Sequence, residues 1–498
     1  MWLVCLTFVL AAAAPERDAG ARDLVKTAIA RMGGEAALRS LETMRIETVG
    51  YRNLLEQSER PDGPWIPQIE RTVELWDPRG GRWQETIEGA VADDAFTMKT
   101  IVAGGVAARK YGDRFLPTGR GAVLEAREWM ALSPQQILLA ALAAPPGDLR
   151  RDPDLEFQGV PHHSVSFGAG EDRRRILLNA QTGFLTAVET TRAYPDDLYW
   201  QIWGDVPTRV SFSFWDLRPR GLMYPLQWDV ERGGRPWRAL TISKLQPGPA
   251  PSPDDFAIPQ SEKDSFAARG GGRPLDEMPL GNPSRPAVEL APGVVVIPGS
   301  WGVALVRLSD GIVVLEAPIS AGYSARVLDE AKRRFPGLPV KAVVTTSDSW
   351  PHFGGIREYV GRGIPVYLLD LNVPQITRAL ESPHRSYPDA LAKNPRAPIL
   401  RPVSSRTVIG DGTNRIELYP VRGETGERMM LAFLPDSGVL YASDLYQSGR
   451  GGPPEYAWEV AEVARREHLN VKTVFAMHSD PAPWQTLLDA ISKATQSP

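Results

Sequence analysis

The strongest constraint on this chain is a loss of rhythm in its middle. Residues 260–286 hold the run Gly270-Gly271-Gly272, with prolines and charges around it and no apolar periodicity. A stretch of that composition joins bodies rather than forming one, because it has no face to bury. The 498 residues therefore divide into a domain at 20–259 and a second at 287–498, each long enough to enclose its own core.

The first domain reads as strands with a few helices. Leu24, Val25, Ala28, Ile29 and Met32 fall on one face of a helix over 21–38, which Gly33-Gly34 can interrupt. From residue 44 the pattern turns to strands, at 44–50, 69–76, 175–179, 184–191, 208–215 and 240–244, with turn signals between them. A second helix over 133–143 opens with Ser133 as N-cap and Pro134 in its first turn. The fold class expected is α+β, built on a mostly antiparallel sheet.

The N-terminal 14 residues read as a signal peptide: an apolar run ending in Ala11-Ala12-Ala13-Ala14, too short to span a bilayer. That places the mature protein in the periplasm or outside the cell. Cys5, the only cysteine, lies in the segment to be removed, so no disulfide framework and no thiolate metal ligand is expected. No later run is long enough for a transmembrane helix. A formal net charge of −4, without a basic cluster, argues against nucleic acid as a partner.

The second domain begins with short strands at 293–297, 303–308 and 312–315 and then alternates helix and strand, which argues for an α/β layer architecture. Its strand at 341–345 runs into Ser347-Asp348-Ser349-Trp350-Pro351-His352-Phe353-Gly354-Gly355 and then a helix. This segment resembles the signature loop of the metallo-β-lactamase superfamily, HxHxDHxGG. Residues 293–320 are similar to that family's opening hairpins, FLPDSGVLYASDLY (433–446) to its strand with the bridging aspartate, and VFAMHSDPAPW (474–484) to its closing strand and histidine. The resemblance implies an αββα sandwich. It also implies a site in which imidazoles and carboxylates hold metal, usually zinc, to activate water against a carbonyl or phosphoryl centre.

The ligand set is largely rewritten. Anchored on Gly354-Gly355, the first two signature histidines fall on Ser347 and Ser349, the aspartate on Pro351, and a further histidine on Thr425. Neutral hydroxyls are poor zinc donors, so a dinuclear site is not expected. His352, Asp444 and His478 match family ligands and suffice for at most one zinc or other divalent ion, with Asp348 as an extra ligand or base. Two metal-free readings stand beside this: a vestigial pocket in which the histidines are satisfied by hydrogen bonds, and a serine, Ser347 or Ser349, set beside His352 and Asp444 as nucleophile, base and orienting carboxylate. His162 and His163 read as surface or turn residues. His384 reads as part of a loop over the pocket, and His468 as the end of a helix.

The first domain more softly resembles periplasmic proteins with the lipoprotein-localisation carrier fold, a curved half-barrel around helices, through residues 176–189, 203–225 and 254–259. Its helix residues Ile137, Leu138, Leu139 and Leu142, and the aromatics Tyr199, Trp200, Trp203, Trp215 and Tyr224, read as core and rim. Two functions remain open on these residues. One is an exported metal-dependent hydrolase with a single ion. The other is a non-catalytic binding module for a small apolar ligand, a lipid or a partner.

Overall fold

The computed structural model describes residues 14–57, 60–92, 94–248, 251–268, 271, 273–282, 284–447 and 454–496. Cys5 and the expected signal segment, apart from Ala14, lie outside the described residues. The chain forms two compact units. Most of residues 1–272 make the first. The second comprises Arg273–Pro498 together with Leu55–Trp65 and Ala193–Asp205, two excursions that leave the first half of the chain between its strands. Among the described residues no helix is long and apolar enough to cross a membrane.

Among the described residues the first unit is built on one open sheet of 13 strands. Two meanders, from Met44–Asn53 to Arg114–Leu116 and from Arg150–Phe157 to Arg235–Pro247, each pair strand with next strand. They join through antiparallel pairing of the first strand with the last, Met44 opposite Pro247. Alternation sorts side chains between faces: along Pro67–Asp77, Gln68, Glu70, Thr72 and Glu74 are buried while Ile69 and Arg71 are exposed. The helix Ala14–Arg31 buries Ala21, Val25, Ala28 and Ile29 on one face, and Met32 is buried just past its end. Gly33 and Gly34, both at positive φ, end it before the short helix Glu35–Arg39, so the expected run 21–38 is split.

Local expectations in this unit meet mixed outcomes. Ser133 occupies the N-cap of Pro134–Ala143, but its hydroxyl donates to Met130 O at 2.7 Å and leaves the cap unmade. Ile137, Leu138 and Leu139 are buried, as core. Tyr224 is buried with its hydroxyl on Gln135 Oε1, 2.9 Å away, and Trp215 stacks on Phe184. His162 is no surface residue: it is buried, its Nδ1–H donating to Val160 O and its Nε2 accepting from Thr186 Oγ1, each at 2.8 Å. Tyr199, Trp200 and Trp203 belong to the second unit.

The second unit is an α/β sandwich. A seven-stranded sheet starts with three strands joined by hairpins, Val288–Ala291, Val294–Ile297 and Val303–Arg307, and becomes parallel from Ile312–Leu315 through Val340–Thr345 and Val366–Leu369 to Leu400–Val403. A six-stranded sheet holds Ile416–Pro420, Met430–Leu434, Val439–Tyr441 and Thr473–Ala476. Alternate residues of both sheets meet in one core, Val306, Leu315 and Val344 with Leu418, Ala432 and Phe475. The outer face of the second sheet packs with the helices Pro454–Arg466 and Trp484–Gln496 through Leu440, Val460, Val463 and Leu487. The helix Ala321–Arg334, capped by Ser320 Oγ on Tyr323 N, buries Tyr323, Val327, Leu328 and Ala331. The stretch expected as a linker carries the helix Gln260–Ala268, whose Phe266 is buried.

Candidate functional site

Strand ends place the site. The loop after Val340–Thr345 carries His352 in the short helical turn Trp350–His352, Asp444 follows the strand Val439–Tyr441, and His478 follows Thr473–Ala476. Apolar strands buried on both faces cannot carry polar chemistry, so it collects where their ends reach the surface. Among the described residues, the one group of three whose donor atoms all lie within 4.8 Å of one another is His352, Asp444 and His478.

The two oxygens of Asp444 serve different rings. Oδ2 lies 3.6 Å from His352 Nε2, and Oδ1 lies 3.4 Å from His478 Nε2 and accepts from Gln447 Nε2 at 2.9 Å. His478 donates its Nδ1–H to Ser300 O at 2.6 Å, so in the neutral ring the Nε2 lone pair faces Asp444. The indole of Trp301 stands edge-on to both imidazoles, at 4.6 Å from His478 and 5.8 Å from His352. The site grades outwards from His352, which is fully buried, to Asp444 and His478, which are partly exposed.

Behind His352 stands a residue that sequence reasoning missed. Glu316 is fully buried and held at φ 78°, a conformation that costs a non-glycine residue energy. Its Oε1 accepts from the backbone N–H and the hydroxyl of Thr346. Its Oε2 has no hydrogen-bond partner and lies 3.8 Å from His352 Nδ1. The available signal was a carboxylate directly after the all-apolar strand Ile312–Leu315, where no solvent is near.

Neither ring nitrogen of His352 makes a hydrogen bond; both are ion-pair contacts. Burial alone would depress this imidazole, but the carboxylates of Asp444 and Glu316 outweigh it and push it up to about 10. Burial pushes Asp444 up, and the two histidines and Gln447 bring it below the usual carboxylate range. The pocket holds two acidic side chains and demands positive charge between them. One divalent ion with two neutral imidazoles balances two carboxylates, and the donor set fits: two imidazole nitrogens and a carboxylate, with an accessible side. Ser300 O and Glu316 then act as the outer partners that fix which nitrogen of each ring points inwards.

Asp348 does not join this group. Its carboxylate lies 3.9 Å from Arg428 Nε, and burial pushes it up to about 7 against the pull of that guanidinium. Ser347 is buried and accepts the N–H of Ser349 at 3.1 Å. Since neither ring nitrogen of His352 has a hydrogen-bond partner, the serine–histidine pair of the metal-free alternative is not formed. Thr425 lies in a loop tied by buried Glu459, which accepts the N–H groups of Thr425 and Gly426. His384 is buried away from the three-residue group, with Nε2–H on Ile202 O and Nδ1 3.4 Å from Asp389. His163 pairs with Asp154, and His468 ends its helix at φ 52°.

No family model and no curated protein matches the chain. Solved structures similar to it include a metallo-β-lactamase from Pontibacter korlensis, at 16% identity and TM-score 0.34 over 43% of this chain and 99% of that one. A metallo-β-lactamase from Erythrobacter litoralis gives 16% and 0.32 over 42% and 96%. A stereoselective inverting sec-alkylsulfatase from Pseudomonas sp. gives 16% and 0.33 over 43% and 42%. At such scores the likeness decides nothing about activity; the side chains must.

Proposed function

We propose that the second unit binds one divalent cation, zinc by preference, on His352, Asp444 and His478, and that the protein is an exported single-metal hydrolase. The observation that carries this is the orientation of the rings. Each histidine has Nδ1 directed at an outer acceptor, Ser300 O or Glu316, and Nε2 directed at the carboxylate of Asp444. Two imidazole nitrogens facing one carboxylate are held there by positive charge, and one divalent ion supplies it to both rings at once. A divalent ion supplies Lewis acidity and lowers the pKa of water there. The chain's own part is to hold the donors, keep two carboxylates for charge balance, and leave the Asp444–His478 side open to a substrate.

A second reading is supported by Asp348. The residue offered as an additional base faces Arg428 instead, and Ser347, Ser349 and Thr425 bring no zinc donors. On that reading the unit binds a ligand without turning it over, with a proton on His352 supplying the positive charge. Elemental mass spectrometry of the full chain, for wild type and the His352→Ala/His478→Ala double variant, separates the two. One metal per chain in wild type, lost in the variant, supports the metal site and directs a screen of ester, amide and phosphoester substrates. No metal in wild type, even after incubation with zinc, manganese or iron, sinks it.

A further inference from the structure

The metal loop is held from an unexpected part of the chain. Ala193–Asp205 runs between Leu185–Arg192 and Val206–Leu217, two neighbouring strands of the first unit's sheet, with Arg192 paired to Val206 at its base. The excursion itself belongs to the second unit. Trp200 and Trp203 set their rings edge-on to Trp350, each at 4.9 Å, two residues before His352. Between them in sequence, the amide of Gln201 donates from Nε2 to Ile319 O at 2.6 Å and to Gly354 O at 2.9 Å.

Those two carbonyls belong to the two turns that set the site. One turn runs from Glu316 to Ile319, with both end residues at positive φ, 78° and 70°. A β-branched residue in that region is strained and stays there only if its surroundings hold it. The other turn carries His352 and ends at Gly354-Gly355. The backbone stitches the turns together through Ile319 N on Pro351 O and Gly355 N on Ala317 O, at 2.9 and 2.8 Å. Gln201 adds a side-chain bridge that grips a carbonyl from each. The fit is close: a Cβ on Gly354 would lie 2.6 Å from Ile319 O and 2.7 Å from Gln201 Nε2. The excursion is itself pinned, as Asp205 accepts the N–H groups of Arg385 and Ser386 and donates its own N–H to Pro383 O.

We propose that the Ala193–Asp205 excursion is a clamp on the metal loop, with Gln201 as a positioning residue that fixes Glu316 against His352 and so sets metal affinity. This rests on the metal reading above. It makes the metal site composite: the ligands come from the second half of the chain and the part that aligns them from the first. The bridge works by donating two hydrogen bonds, so Gln201→Glu, which presents acceptors to carbonyls, and Gln201→Met, which keeps length and bulk without a donor, should fail alike.

The test is zinc affinity of the full chain by competition with a chromophoric chelator, together with the melting temperature of the metal-free protein. Both variants should lose at least about tenfold in affinity, the scale seen when an outer partner of a metal ligand is removed. Trp200→Phe, which keeps an aromatic edge on Trp350, should retain wild-type affinity. If wild type itself binds no zinc, the metal reading fails. If wild type binds and Gln201→Met binds as tightly, the clamp is refuted while the metal reading stands. Should Gln201→Glu fail to fold, Gln201→Met decides.

Discussion

The first unit contains a buried acidic cluster whose titration can be calculated forward to a stability measurement. Glu70, Glu74 and Glu85 converge on Arg238, with Glu74 directly opposite Glu85 across neighbouring strands. Arg238 donates to Glu70 Oε2 and Glu85 Oε1, each at 3.0 Å, while Glu74 Oε2 accepts the indole N–H groups of Trp76, Trp83 and Trp129 at 2.8, 3.0 and 3.0 Å. Burial pushes Glu70 up, but Arg238 and Arg52 outweigh it and hold it ionised. One deep guanidinium cannot balance all three carboxylates. Burial therefore wins at Glu74, which is raised, and at Glu85, which is pushed up to about 7 from an ordinary 4.5.

A carboxyl whose folded pKa lies above its unfolded value contributes stability that is fully present below pH 4.5. That contribution is lost as pH rises towards 7, because in that window the native state holds the extra proton. At about 1.4 kcal/mol per pH unit, the gap corresponds to about 3 kcal/mol. Glu85→Gln replaces the neutral acid by a neutral amide and removes this dependence. Urea denaturation of the full chain between pH 5 and 8, followed by the fluorescence of the tryptophans around Glu74, measures it. The stability difference between wild type and Glu85→Gln should move in favour of the variant by about 2–3 kcal/mol from pH 5 to 8. A difference that stays constant, or moves towards wild type, refutes the reasoning.

Two further outcomes test the second unit. Glu316→Gln keeps the shape of the side chain but removes the charge behind His352, and should weaken zinc binding by about ten- to a hundredfold in the same chelator competition; unchanged affinity would remove Glu316 from the site. Trp350→Ala empties a fully buried position flanked by two indole edges and should cost about 3–5 kcal/mol in chemical denaturation. A loss below about 1 kcal/mol would mean that the metal loop does not depend on that packing.

What the amino-acid order determines by itself here is whatever repeats along it. Period-two alternation marks strands such as Thr208 to Trp215, helical spacing marks Val25, Ala28, Ile29 and Met32, and the break at residues 260–286 falls between two different rhythms. His352, Asp444 and His478 were named through the resemblance of their segments to the metallo-β-lactamase pattern, anchored on Gly354-Gly355. Contacts across long stretches of sequence leave no such trace. Glu316 meets His352 from 36 residues away, and Gln201 grips carbonyls 118 and 153 residues ahead of it. Asp348 lies within the signature loop, yet its partner is Arg428 on another loop. Side-chain direction at a loop is set by which packing closes over it, and that depends on the whole core having assembled. Local sequence could therefore name the donors. Only the tertiary structure decided which of them converge, which carboxylate stands behind them, and which distant segment holds them in place.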